Sequence, residues 1–433
     1  MKLYTISLGC AKNQVDTEMI LGVCKGYLTL CPTPEEADVI LINTCAFIEP
    51  ARKEAIDTIL AMADYKENGA KLIVCGCLPQ RYKEEIIRLL PEVDRFISID
   101  EYKDIAKIIT EVLNSSIKIN EKYSPLNRIY STPSYMRYVK ISEGCLNRCA
   151  FCAIPLIRGK LRSRMIEDIV SEVKMHVSEG VYEINLISQD TTRYGFDIYK
   201  ENKLVELLSQ LVEIEGDFRI RLLYLYPDIV TDELILFIKN NPKVMPYFDI
   251  PIQHSEDKLL SKMNRRGNRE YMLNLFEKIR SLIPNSIIRT TLIVGFPYEE
   301  EEDIDSLIDF INQVKFDRLG AFTFSLEEGT KACEYPNIID DNVKQKRYER
   351  VMEAQQKIAL EKNKALIGSV MDAFIIDYDP ESFMYVARSE GYAPDEIDGC
   401  IFVAAKYELE IGQRVRVKIL DCDTYTLTGE QYE

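Results

Sequence analysis

Three cysteines lie within residues 141–155, which read ISEGCLNRCAFCAIP. Cys145, Cys149 and Cys152 have a C-x3-C-x2-C spacing, and the chain offers only two histidines as further ligands. A structural zinc site needs four tetrahedral ligands, and no fourth ligand of the right type lies close in sequence. A C-x-x-C redox pair would leave one cysteine without a role. A four-iron cluster bound by three thiolates would use all three and keep one iron open for a further ligand.

The open iron of such a cluster can chelate the amino and carboxylate groups of S-adenosylmethionine, and the spacing resembles that of radical S-adenosylmethionine enzymes. The motif follows a predicted strand at 137–142, at the sheet edge where α/β proteins place their active sites. Phe151 would lie near the adenine, although core packing explains this residue equally well. Gly295, in TLIVGFP (291–297), would let the backbone approach the cofactor closely, but a glycine turn alone is a weak signal.

A second cysteine triad follows from the predicted topology. Cys10, Cys45 and Cys77 each follow a predicted strand (2–7, 39–43 and 71–75) within three residues. The ends of parallel strands lie on one edge of a sheet, so these three thiols can converge and hold a second cluster. The alternative is that they are buried small hydrophobic residues. We expect the other six cysteines to be such buried residues: Cys24, Cys31, Cys75, Cys333, Cys400 and Cys422. Among them, Cys75 remains a minor candidate ligand.

The cysteines must be positioned by secondary-structure elements, and the pattern of these elements predicts an α/β multidomain protein. Apolar runs alternate with helical patterns in an N-terminal parallel-sheet domain, and a polar stretch at 120–134 is typical of a linker. Six further strand–helix units predict a partial, open (β/α)6 barrel similar to a TIM barrel, since eight would be needed to close it. Alternating patterns near the C-terminus predict a small antiparallel β domain. The expected domain limits are 1–125, 131–366 and 367–433.

Composition restricts the function classes. The net charge of −16 and pI of about 4.9 argue against a general affinity for nucleic acid and favour a basic partner, although many acidic proteins are acidic simply for solubility. The chain has no apolar run long enough to span a bilayer and no secretory signal pattern at its N-terminus. Twelve cysteines in such a chain indicate metal or redox chemistry in a reducing compartment. We therefore expect a cytoplasmic protein.

Several segments together resemble the radical S-adenosylmethionine methylthiotransferases, and the likeness covers nearly the whole chain. It rests on SLGCAKNQVDTE (7–18), INTCAFIEPARKEAI (42–56), GCLPQRY (76–82) and YVKISEGCLNRCAFCAIPLIRGKLRSR (138–164). The resemblance implies two 4Fe–4S clusters, one on Cys10, Cys45 and Cys77 that carries the sulfur to be inserted. It also implies a C-terminal TRAM domain, S-adenosylmethionine as cofactor, an external electron donor, and a cofactor contact at Gln189.

The family has a branch that modifies adenosine in transfer RNA and a branch that modifies an aspartate β-carbon of small-subunit ribosomal protein S-twelve. Four segments resemble the ribosomal-protein branch: Lys12-Asn13, ISQDTTRYG (187–195), DIPIQHSEDKLLSKMNR (249–265) and FSLEEGTKA (324–332). The resemblance thus implies replacement of an aspartyl C–H by C–SCH3. One departure is Tyr298, where the family usually has glycine, which puts the backbone shape of that loop in doubt.

The charge of the C-terminal region separates the two branches independently. Residues 367–433 contain fourteen acidic and five basic residues, a balance of −9. A domain that anchors transfer RNA should be basic, whereas one that docks a lysine-rich ribosomal protein should be acidic. We expect Asp395, Glu396 and Asp398 to lie in an exposed loop that contacts this basic protein, and RNA contact to be absent or secondary.

Overall fold

The N-terminal domain contains five parallel strands in the order β2-β1-β3-β4-β5. The computed structural model describes residues 1–113, 119, 121–394 and 397–432. The strand β3 is buried along its whole length, as expected for an apolar run covered by helices on both faces. The elements are β1 Lys2–Ser7, α1 Ala11–Cys24, β2 Thr29–Leu30, β3 Val39–Thr44, α2 Glu49–Ala63, β4 Lys71–Gly76, α3 Cys77–Leu89, β5 Arg95–Ser98 and α4 Ile105–Val112.

The central domain has the six parallel barrel strands that the sequence predicts. They form two three-stranded sheets, and a parallel bridge between Ile220 and Val244 continues one sheet toward the other. The predicted strand 218–226 is shorter than expected, because the backbone turns into the left-handed region at Tyr224 (φ 62°).

The central strands are β6 Met136–Lys140, β7 Ser142–Glu143, β8 Arg162–Ser163, β9 Glu183–Ile187, β10 Arg219–Leu222, β11 Tyr247–Asp249, β12 Ile287–Val294 and β13 Arg318–Thr323; β7 and β8 form a separate antiparallel pair. The helices are α5 Ile154–Ile157, α6 Ile166–Ser178, α7 Phe196–Tyr199, α8 Leu204–Val212, α9 Asp232–Asn240, α10 Asp257–Lys262, α11 Arg269–Leu282, α12 Glu301–Val314 and α13 Asp341–Ala365.

The C-terminal domain is a closed barrel of five strands in the order β14-β15-β16-β18-β17. All neighbouring strands are antiparallel except β16 and β18, which pair in parallel. No helix of the described residues is long and apolar enough to cross a membrane. The strands are β14 Val370–Asp379, β15 Met384–Ser389, β16 Cys400–Ala404, β17 Arg414–Cys422 and β18 Thr426–Tyr432.

The described part of the stretch 120–134 has more structure than its polarity suggests. Arg128 is buried and donates hydrogen bonds from Nε to Glu18 (3.1 Å) and from Nη1 to Glu172 (3.1 Å). These glutamates belong to the N-terminal and central domains, so the described part of this stretch joins the two domains through buried ion pairs. A second link lies after β13, where the buried Glu327 pairs with Arg52 and Arg81, both at 2.7 Å.

The loop GYAPDEIDG (391–399) was expected to be exposed together with its three acidic residues. Asp395 and Glu396 lie outside the described residues, but Asp398 is buried rather than exposed. It accepts a hydrogen bond from the Tyr247 hydroxyl (2.7 Å) and lies 3.3 Å from Arg289 Nε. The prediction that Asp398 docks a substrate is therefore wrong, because this carboxylate attaches the C-terminal barrel to the central domain.

Candidate active site

All six cysteines predicted as cluster ligands line one cavity of about 420 Å³ between the N-terminal and central domains. The strands of both domains end at this cavity, which explains how residues far apart in sequence meet there. Phe151 and Gln189 also line it, whereas Gly295 is not among its lining residues. The structure thus brings together eight of the nine predicted site residues: Cys10, Cys45, Cys77, Cys145, Cys149, Cys152, Phe151 and Gln189.

The N-terminal triad occupies three neighbouring strand ends. Cys10 is the N-cap residue of α1 and lies three residues after β1, Cys45 follows β3, and Cys77 begins α3 directly after β4. Gly9 has a φ of +87°, and a Cβ at this position would lie only 2.6 Å from the Cβ of Cys45. Glycine is therefore required for two of the three cysteine segments to approach each other. Cys75 is fully buried in the apolar core below and does not line the cavity.

The central triad is held by backbone hydrogen bonds in the loop after β7. The Cys152 amide donates to the Cys149 carbonyl (3.1 Å), and the intervening Ala150 amide donates to the Met263 carbonyl (2.8 Å). The Arg265 guanidinium donates to Cys149 Sγ (3.7 Å). This contact holds the Cys149 side chain beside a positive charge.

The donor set fits clusters better than a single ion. Within the described residues, no group of three or more histidine, cysteine, aspartate or glutamate side chains is arranged to hold one metal ion. The six cavity thiols instead form two triads in separate domains, and a multi-iron cluster is a larger body than one ion. Burial raises the pKa of Cys45 to about 12 and the pKa of Cys145 to about 11. Metal binding would therefore have to displace protons from these thiols.

Arg158, which the sequence does not single out, links the segment after the central triad to the N-terminal triad. It follows the central triad by six residues, yet its guanidinium donates to Asp16 (2.7 Å) and to Cys77 Sγ (3.7 Å) in the N-terminal domain. A third contact, to Glu143, measures 3.2 Å. Burial raises the pKa of Glu143, but Lys140 and Arg158 lower that pKa more strongly, so the carboxylate stays ionised. The spacing of the cysteines does not mark Arg158, because two of these partners, Asp16 and Cys77, come from another domain.

Two further lining residues have strained backbones. Tyr224 and Gln253 have φ values of +62° and +73°, in the left-handed region that is unfavourable for side-chain-bearing residues. Such strain is concentrated at functional sites. The Tyr224 ring lies 3.5 Å from the Lys12 ammonium, which also donates to the Ser188 carbonyl (3.0 Å). Burial lowers the pKa of Lys12 from its ordinary value.

Gly295 has a packing role in the structure. Its φ is +74°, its amide donates to Glu299 (2.8 Å), and a Cβ at this position would collide with the Lys344 side chain of α13. Tyr298 also has a left-handed φ of +75°, which explains why glycine suits that position. His254 is buried, its Nε2 lies 3.5 Å from Glu299, and the residue does not line the cavity.

Comparison with known proteins places this fold and site in one class. Residues 139–311 match the radical SAM superfamily, residues 2–98 match the uncharacterized protein family UPF0004, and residues 367–431 match the TRAM domain. Among solved structures, the radical S-adenosylmethionine methyltransferase TsrM from Kitasatospora setae is similar, with a TM-score of 0.55 and 12% identity. The match covers 75% of this chain and 72% of that one. This likeness shows a radical S-adenosylmethionine fold.

Three curated relatives are similar over almost their whole length, and all are called ribosomal protein uS12 methylthiotransferase RimO. The protein from Caldicellulosiruptor saccharolyticus is 46% identical (99% of each chain), as is the one from Clostridioides difficile (99% of this chain, 98% of that one). The protein from Aquifex aeolicus is also 46% identical (100% and 98%). The chain belongs to the ribosomal protein uS12 methylthiotransferase family.

Proposed function

We propose that this protein replaces a hydrogen on the β-carbon of an aspartate in ribosomal protein uS12 with a methylthio group, by radical S-adenosylmethionine chemistry. The observation that carries this proposal is the single cavity lined by two cysteine triads from two domains. Inserting sulfur into an unactivated C–H bond needs a hydrogen-abstracting centre and a sulfur-carrying centre that reach the same carbon. The family relationship supports the identity of the substrate.

The cysteine triads would hold the two 4Fe–4S clusters that the family implies. Cys145, Cys149 and Cys152 would bind the cluster that cleaves S-adenosylmethionine, and the N-terminal triad the one that carries the methylthio sulfur: Cys10, Cys45 and Cys77. When bound, these groups supply a carbon radical and a transferable methylthio sulfur. Phe151 and Gln189 would contact S-adenosylmethionine from the cavity wall, and the site of Gly295 supports no such role.

The chain's own residues orient the reactants and exclude water. Phe151, Ile154 and Ile157 give the central loop an apolar surface toward the cavity, which protects a radical from solvent. Gln189 donates to Glu143 (2.8 Å), and Glu143 in turn binds Arg158, so the cavity wall is fixed by one hydrogen-bonded chain. Such a fixed wall reduces the reorganisation needed when reactants bind.

We also propose the domain limits 1–125, 131–366 and 367–433, and an external electron donor, since the chemistry consumes electrons. The fourteen acidic and five basic residues of 367–433 support a basic protein substrate over transfer RNA.

Two cysteine substitutions test the division of labour between the triads. Cys149→Ala should lose one cluster and abolish 5′-deoxyadenosine formation, while the N-terminal domain keeps its iron. Cys45→Ala should still cleave the cofactor but should form no methylthiolated product, because the sulfur-carrying triad is broken. Cys75→Ala is the matched control, since this buried cysteine lies outside the cavity. Iron per chain, 5′-deoxyadenosine and the mass of the ribosomal protein are measured anaerobically for each variant.

The proposal fails if Cys45→Ala retains full iron and makes the methylthiolated protein. In that case the N-terminal triad would have only a structural role. Equal loss of iron in Cys75→Ala would mean that general destabilisation, and not ligand removal, explains the other variants.

A further inference from the structure

Lys12 is a buried cation with an incomplete set of partners. Only 7% of the residue is exposed, and Lys12 is one of the residues that line the cavity. It donates to the Ser188 carbonyl (3.0 Å) and lies 3.5 Å from the centre of the Tyr224 ring. Within the described parts of the chain, no carboxylate oxygen lies within 4.0 Å of it. An ammonium has three donors, and an unpaired buried charge is costly, so this site fits an anionic ligand.

The other cations of the cavity wall already have polar partners. Arg158 pairs with Asp16 and Glu143, and Arg289 lies within 4.0 Å of two aspartates. Arg265 donates to the Pro251 carbonyl and to a cysteine of the central triad. Among the described cations of this wall, Lys12 is therefore the one best placed to receive a carboxylate from outside the chain.

Lys12 contacts the central domain from its position in the N-terminal domain. Lys12 is two residues from Cys10 in the first turn of α1, in the N-terminal domain. Its contacts, Ser188 and Tyr224, follow β9 and β10 of the central domain. The ammonium therefore lies at the boundary between the domains that carry the two triads. A group held there can be reached from both sides of the cavity.

We propose that the Lys12 ammonium binds the side-chain carboxylate of the target aspartate, an inference that rests on the function proposed above. The carboxylate carbon is bonded directly to the β-carbon, so fixing the carboxylate fixes the C–H bond to be broken. Fixed orientation of the reacting groups is a large part of enzymatic rate enhancement. The same contact selects aspartate over asparagine, because the neutral amide cannot replace the anion. The methionyl carboxylate of S-adenosylmethionine is the competing source of the same chemistry.

The test measures binding of ribosomal protein uS12 to the iron-loaded enzyme, anaerobically and without reductant. The ribosomal protein is prepared with the target aspartate and with asparagine at that position. The wild-type enzyme should bind the aspartate form about tenfold to hundredfold more tightly, the range of a hydrogen bond to a charged group. Lys12→Met should abolish this preference and leave the affinity for the asparagine form unchanged. Lys12→Arg should restore part of it.

Two controls separate this role from others. Lys278→Met removes an exposed lysine on α11 that pairs with Asp232, and it should keep the aspartate preference. Affinity for S-adenosylmethionine is measured on the same samples. If Lys12→Met weakens cofactor binding and retains the aspartate preference, Lys12 binds the cofactor and the proposal is wrong. Equal weakening of both forms of the ribosomal protein also refutes it.

Failure of the proposed function is recognised separately, because the wild-type enzyme would then make no methylthiolated ribosomal protein under reducing conditions. A wild-type enzyme without any preference for the aspartate form overturns the assignment of Lys12, whether or not product is formed.

Discussion

Glu183 should hold the C-terminal barrel on the central domain. This carboxylate, at the start of β9, is 1% exposed and accepts hydrogen bonds from Arg221 Nε (2.9 Å) and Arg388 Nη2 (2.6 Å). Arg388 belongs to β15 of the C-terminal barrel, so the pair crosses the domain boundary. Burial raises the pKa of Glu183, but Arg388 and Arg221 outweigh it and lower the pKa to about 2.

The size of the effect follows from this pKa. A shift from the ordinary value of 4.5 to about 2 corresponds to roughly 3 kcal/mol of stability at neutral pH. Because the folded pKa is depressed, this stability is fully present above pH 4.5 and is lost as the pH falls toward 2. Glu183→Gln removes the charge and leaves two buried guanidinium groups without their anion. We expect a loss of about 3–5 kcal/mol at pH 7 that shrinks below pH 4.5.

The measurement is urea unfolding of the full chain, with protease cleavage in the segment between α13 and β14 reporting release of the barrel. Asp217→Asn is the matched control, since Asp217 pairs with Arg414 across the same boundary (3.3 Å), with 68% and 36% of the two side chains exposed. An exposed pair should contribute less than about 1 kcal/mol. Equal losses for the two variants, or a Glu183→Gln deficit that does not change between pH 7 and pH 3, would refute this reasoning.

Three further substitutions have defined outcomes. Arg128→Met leaves two buried glutamates without their shared cation and should cost about 3–5 kcal/mol in urea unfolding. Gly9→Ala should reduce the iron of the N-terminal triad alone, because its Cβ would lie 2.6 Å from the Cβ of Cys45; iron per domain measures this. Gly295→Ala, at φ +74° and against Lys344, should cost about 1–2 kcal/mol of stability without changing the affinity for S-adenosylmethionine.

Each of these variants has a control within the chain. Arg350→Met removes a 40% exposed guanidinium from α13 and should cost less than about 1 kcal/mol. Gly26→Ala has a similar positive φ (+81°) but no atom within 4 Å of the added Cβ, so it isolates backbone strain from contact. A Gly26→Ala variant that loses iron as Gly9→Ala does would contradict the close-approach argument. Weaker binding of S-adenosylmethionine by Gly295→Ala would mean that this residue does contact the cofactor.

The cysteines could be predicted because their signal is local and the topology is regular. Parallel strands bring their carboxyl ends to one edge, so cysteines that follow three such strands can converge. The strand pattern left buried packing as an alternative, and the family resemblance was needed to choose cluster ligands. The six barrel strands could be predicted because apolar runs alternate regularly with helical patterns. The short strands Thr29–Leu30 and Arg95–Ser98 were missed, since two to four residues at sheet edges give almost no periodic signal.

The charged residues could not be placed from sequence, because their partners belong to other domains. Arg128 lies in a stretch whose polarity is typical of a linker, yet its guanidinium is buried between two glutamates. The contacts of Arg158 and Lys12 also cross from one domain to another. A sequence shows which side chains carry charge, but whether a charge is solvated or paired depends on a packing arrangement that no local pattern encodes.

The C-terminal region 367–433 remains strongly acidic when its buried charged residues are left out. Asp398 is buried against Arg289, so it does not contribute to an acidic outer surface. Arg388 is likewise buried, against Glu183, so one basic residue also leaves the count of surface charges. Thirteen acidic and four basic residues remain, and the balance is still −9. We expect a basic protein partner to contact exposed acidic residues of the barrel, such as Asp377 and Glu381.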